Sequence, residues 1–111
     1  MVTLTVLPHE PGNPWVVRVT EASPELPLSS FRVTVQEIRL GTTVDVFDET
    51  LRPGTLYTQG NATFTCHDLT VPGRLSTGDE FRIADFPPGN YGLTLVHIQS
   101  QRSIPGGSFW F

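Results

Sequence analysis

The sequence predicts an all-β fold, an antiparallel sandwich of about seven to eight strands in one domain spanning residues 1–111. Three observations carry this expectation. Apolar residues alternate with polar ones in run after run, the two-residue period of half-buried strands. Ten glycines and ten prolines cluster between those runs, at roughly the 8–12-residue spacing of sandwich turns. No stretch of eleven or more residues places apolar side chains at helical spacing.

The first run is Val2, Leu4 and Val6, alternating with Thr3 and Thr5 and broken by Pro8 to Pro14. Trp15, Val17 and Val19 then alternate with Val16, Arg18 and Thr20, until Pro24 to Pro27 end the strand. Phe31, Val33 and Val35 mark the third. After a turn over Arg39–Thr43 centred on Gly41, Val44 and Val46 lead toward Phe47. Pro53-Gly54 and Gly60-Asn61 precede a strand carrying Phe64 and Cys66, and Pro72-Gly73 precedes another with Phe81 and Ile83. Pro87-Pro88-Gly89 introduces the longest run, Tyr91–Ile98, and Pro105-Gly106-Gly107 a last short one, Ser108–Phe111. Proline fixes φ and withdraws a donor, while glycine admits positive φ, so each cluster stops a strand.

One corner narrows the fold class. Asp85-Phe86-Pro87-Pro88-Gly89-Asn90 runs into Tyr91 at the head of the apolar strand. A tyrosine there resembles the tyrosine corner of immunoglobulin-like sandwiches, whose hydroxyl bonds backbone a few residues upstream. The predicted class is therefore an immunoglobulin-like β-sandwich. The same strand carries Tyr91, Leu93 and Leu95 on one side and Thr94, Val96 and Ile98 on the other. Apolar residues on both sides ask for cover on both faces, from a loop or from another chain, which makes Val96 and Ile98 possible interface residues.

Composition excludes several functions. Seven arginines, no lysine and a net charge of −4 leave no clustered basic face for nucleic acid, and no Schiff-base or phosphate-loop lysine. Nothing approaches the ~20 apolar residues of a membrane helix, so no membrane contact is expected of these residues. A lone cysteine, Cys66, rules out an internal disulfide and paired-cysteine zinc spacing.

Copper chemistry on a sandwich takes two histidines, a cysteine and usually a methionine. Cys66 and His67 are adjacent and so face opposite sides of a strand, His9 lies in a Pro-rich loop, and the sole methionine is Met1. Cys66 reads as core, and His97 as a strand-end residue with a wetted ring. No Gly-x-Ser-x-Gly elbow occurs, and Asp45, Asp48 and Glu49 read as a solvated acidic turn; no enzyme activity and no cofactor is expected. Asp68 to Asp79 aligns with a twelve-residue calcium loop, with Asp at position 1, Gly73 at 6 and Asp79 at 12. Thr70 and Pro72 stand where two further ligands belong, so the alternative is a metal-free turn that keeps the loop's skeleton. Asn61-Ala62-Thr63 is a sequon, which makes Asn61 a glycosylation site in an exported domain. At Phe109-Trp110-Phe111, alternation sends Phe109 and Phe111 to one face, with Phe109 in the core, and Trp110 to the other. Trp110 is either a partly exposed residue of a last strand that closes the core or a possible interface residue for subunits or carbohydrate.

The chain resembles the soluble head of archaeal type IV pilin-like, archaellin-related surface proteins. The resemblance rests on the run before Trp15-Val16-Val17, on Leu28-Ser29-Ser30-Phe31-Arg32-Val33, on Gly73 to Phe81, and on Pro88 to Val96. It implies a non-enzymatic extracellular domain of a filament subunit or accessory, acting in assembly and surface adhesion, without a cofactor. It also implies a leader and a long hydrophobic helix upstream, which this sequence lacks. Expected partners are protein subunits of a filament or cell envelope. The other reading of the residues is a carbohydrate- or polymer-binding module of a cell-surface protein, with Trp15 or Trp110 as the aromatic contact.

Overall fold

Alternation becomes register in the computed structural model, which describes residues 1–111. The strands are β1 (Val2–Val6), β2 (Trp15–Ala22), β3 (Phe31–Arg39), β4 (Thr42–Thr50), β5 (Gly54–Gln59), β6 (Ala62–His67), β7 (Glu80–Ala84), β8 (Asn90–His97) and β9 (Arg102–Trp110). A single 3₁₀ turn, Leu28–Ser30, leads into β3. One sheet runs β1-β2-β7-β6-β5 and the other β4-β3-β8-β9, every pairing antiparallel. The chain changes sheets after β2, β4 and β7, which is the immunoglobulin-like order.

Between the sheets, Val17 and Val19 of β2, Phe64 of β6, and Phe81 and Ile83 of β7 meet Val33 and Val35 of β3, Leu95 of β8 and Phe109 of β9, all essentially inaccessible. Each such side chain contributes about 1.5–3 kcal/mol of burial. Tyr91 closes the crossing from β7 to β8: its hydroxyl donates to the Pro87 carbonyl at 2.6 Å, and Phe86 packs edge-on against its ring at 5.3 Å. Here the predicted tyrosine corner is present.

Two expectations needed correction. There are nine strands rather than seven or eight, because β5 lacks clean alternation. A register shift between Thr55 and Tyr57 leaves Leu56 buried and its neighbour Tyr57 half-buried. The second concerns Pro105-Gly106-Gly107, which lies inside β9 rather than ending a loop. Pro105 is tolerated because β9 is an edge strand. Gly106 and Gly107 form a bulge opposite Leu93, and β1 packs directly on it. A Cβ at Gly106 would sit 2.3 Å from Leu93 Cδ2, and one at Gly107 2.5 Å from Val6 Cγ2. Gly107 also has φ +89°, so only glycine lets the two sheets meet along this seam.

Candidate functional site

Trp110 is the largest aromatic left in solvent, 62% exposed, and it is held in place. Trp15, at the head of β2, is buried in the core, and its Nε1–H donates to the Trp110 carbonyl at 2.8 Å. The two indoles meet edge to face at 4.8 Å. His9, from the loop between β1 and β2, stacks on Trp15 at 3.9 Å and its Nε2 bonds the Asn13 carbonyl at 2.9 Å. Fixing an exposed aromatic in advance lowers the ordering entropy lost when a ligand stacks on it.

The positions flanking Trp110 are small or uncharged. Cross-strand from it is Asn90, then Ile38; one pair further along come Ser108, Gly92 and Gln36. Gln36 donates to Asp45 Oδ1 at 2.9 Å, which orients its amide. An aromatic platform beside amide and hydroxyl groups can stack on a sugar's apolar face and bond its hydroxyls. Ile38 is 44% exposed and widens the apolar edge.

The loop from Asp68 to Asp79 is organised by Asp79, which is fully buried. Oδ1 accepts the Leu69 N–H at 2.9 Å and the Thr70 hydroxyl at 3.1 Å, and Oδ2 accepts the Ser76 N–H at 2.8 Å. Asp68 Oδ2 accepts the Gly73 N–H, and its Oδ1 is buried with no partner. Both Asp79 oxygens therefore face N–H or O–H donors, which is the arrangement of a loop staple and opposes the approach of a cation. No group of three or more His, Cys, Asp or Glu side chains is disposed to hold a metal ion.

Cys66 is buried in the core on β6; burial, with the Asp79 and Asp68 charges behind it, pushes its thiol up to about 12. His67, on the opposite side of that strand, bonds the Thr65 hydroxyl at 2.9 Å. Desolvation, aided by the Arg82 charge, lowers its pKa. His97 ends β8, with Nδ1 2.7 Å from Ser100 Oγ. Ser100 Oγ also takes the Arg102 N–H at 3.3 Å, so the pair staples the β8–β9 turn.

Of the acidic cluster, Asp48 pairs with Arg32 at 2.9 Å and Glu49 faces Arg52 at 3.9 Å. Alternation does not reveal the cluster on the outer side of the larger sheet. There Glu80 receives Arg18 Nη2 at 2.8 Å and Arg82 Nη2 at 3.0 Å. Only the order β2-β7 brings these three together; the Arg18 hydrogen bond, then that of Arg82, holds the carboxyl below its ordinary value against the effect of burial.

Val96 and Ile98 do not join Trp110 in one surface. Val96 is 9% exposed, flanked across the sheet by Arg32 and Ser103, so it is covered within the chain, whereas Ile98 is exposed. Ile98 lies beyond the end of β8 and donates its N–H to Ser30. Trp110 pairs with Asn90 at the other end of that strand, roughly 20 Å from Val96 at ~3.3 Å per residue. Asn61 is exposed at the β5–β6 turn, open to a glycan. No helix is long and apolar enough to cross a membrane. The chain matches no protein-family model, no curated protein and no solved structure.

Proposed function

We propose that this chain is a non-enzymatic recognition domain of an extracellular surface assembly, and that it adheres to carbohydrate polymers through the Trp110 corner. The observation behind this is an indole that is exposed yet packed edge to face on buried Trp15, beside Asn90, Ser108 and the oriented Gln36 amide. Solvent-exposed aromatics in such settings mark contact surfaces, and uncharged polar neighbours suit hydroxyl-rich ligands. The test is titration with soluble oligosaccharides and pull-down on insoluble polysaccharides. Trp110→Ala, at an exposed position, is expected to keep the fold and weaken binding at least tenfold. Equal binding by wild type and variant would refute the assignment.

A second reading, assembly as a pilin-like filament subunit, is favoured by the β3–β4 hairpin tip. Ile38, Leu40 and Val44 are all exposed there, Leu40 fully, and an exposed apolar hairpin tip suits packing between copies. Sedimentation over a concentration series separates the two readings: association abolished by Leu40→Asp supports assembly, whereas a monomer throughout removes this support.

A further inference from the structure

Away from the Trp110 corner, a cavity opens where β1 and the loop between β2 and β3 face the β8–β9 hairpin. Its volume is about 490 Å³, within the ~300–1,000 Å³ of small-molecule sites. Leu26, Phe31, Ile104 and Pro24 supply apolar wall. His97 and Arg102 also line it, and no aspartate or glutamate does, although the chain as a whole carries a net charge of −4. Glu25 stands between two lining residues in sequence but is not itself one.

Arg102 is the telling residue. Arg18, Arg32, Arg39, Arg52 and Arg82 each lie within 3.9 Å of a carboxylate, and Arg74 donates to the Glu25 carbonyl. Arg102 alone has a guanidinium with no partner in the protein; its backbone N–H bonds Ser100 Oγ and the residue pairs with His97 across the ladder. An arginine fork matches a carboxylate with two parallel N–H···O bonds. The His97 ring is fixed by Ser100 at Nδ1 and packs against Phe31 at 5.4 Å. With the hydroxyl donating to Nδ1, its Nε2–H is a further donor.

The geometry points to a binding site for a free amphiphilic monocarboxylate, a medium-chain carboxylic acid whose tail fills the apolar cavity while its head group pairs with Arg102. The uncompensated cation at an apolar hollow distinguishes this occupant from a neutral alcohol and from a cationic amphiphile. Each buried methylene tightens binding about fourfold.

The experiment is amide chemical-shift titration of the labelled protein with sodium hexanoate, sodium octanoate, 1-octanol and octylammonium chloride. Octanoate is expected to bind about sixteenfold tighter than hexanoate, octanol more weakly, and octylammonium weakest. Shifts should centre on Leu26, Phe31, His97 and Ile104. Arg102→Gln is expected to weaken octanoate about tenfold and leave octanol unchanged, and Arg102→Lys to recover part of the loss. Octanol or octylammonium binding as tightly as octanoate would overturn the site, as would shifts elsewhere or no saturable binding. The ligand series on wild-type protein decides the matter even if a variant fails to fold.

Discussion

Replacing Asp79 by asparagine removes the staple of the 68–79 loop while preserving its shape. In the native loop, one carboxylate oxygen serves Leu69 and Thr70 and the other serves Ser76, at 2.8–3.1 Å. An amide must set its NH₂ against one of these donor groups. If the NH₂ takes the Oδ2 place, the Ser76 N–H loses its acceptor and confronts another donor, and the other two bonds lose their charge. If the amide is flipped, two bonds are lost instead of one. A hydrogen bond to a charged group contributes about 1.5–3 kcal/mol, and an unsatisfied buried donor costs about as much again, so a loss of about 3 kcal/mol is expected. The unfolding entropy of 111 residues, at ~2.1 cal/mol/K each, converts that to a fall in Tm of about 13 °C. Thermal melts followed by circular dichroism measure it, with Asp48→Asn as the exposed control, expected to shift Tm by no more than about 4 °C. Equal shifts for the two variants would refute the staple. The same melts examine the calcium reading: millimolar calcium should leave wild-type Tm unchanged, whereas an upshift abolished by Asp79→Asn would restore Asp68 and Asp79 as ligands.

Three further outcomes follow from other parts of the molecule. Tyr91→Phe leaves the Pro87 carbonyl without its donor; a loss of about 1.5 kcal/mol, or about 6 °C in Tm, is expected by calorimetry. Glu80 has its carboxyl held below its ordinary value of 4.5. Its contribution is therefore intact above that pH and is lost as pH falls from there through the folded-state value. Urea midpoints measured from pH 6 down to pH 3 should fall less steeply in Glu80→Gln than in wild type. The Cys66 thiol, pushed up to about 12, is almost entirely protonated at pH 8. Thiol reagents should label it slowly in the folded protein and quickly in denaturant; equal rates would show that the core opens freely there.

The fold class was legible because it rests on local rules. Period-two runs marked eight of the nine strands, and the Pro87-Pro88-Gly89 corner before Tyr91 carried the sheet crossing. What escaped depends on contacts distant in sequence. β5 was hidden because a bulge puts Leu56 and Tyr57 out of step. The Pro105-Gly106-Gly107 run reads as a turn until β1 is known to lie against it. The exposure of Trp110 followed from alternation, but its fixation by Trp15 and His9 did not. Likewise, seven arginines are visible in the sequence, but the order β2-β7 decides that two of them share Glu80. The unpaired state of Arg102 emerges only once the other six have found partners.

The seam where β1 rests on Gly106 and Gly107, with Trp15 bonded to the Trp110 carbonyl across 95 residues, bears on the order of events as the chain is made. Translation proceeds at about 5–20 residues per second, so Trp15 waits roughly 5–20 s before its partner exists. Through that interval the Trp15 end of β2 lacks the β9 strand it packs against. Closure joining the first strand to the last is also the kind of non-local pairing that slows folding. The vulnerable stage of folding is thus the one in which β1 and β2 exist but β9 has yet to close the seam beside Trp15.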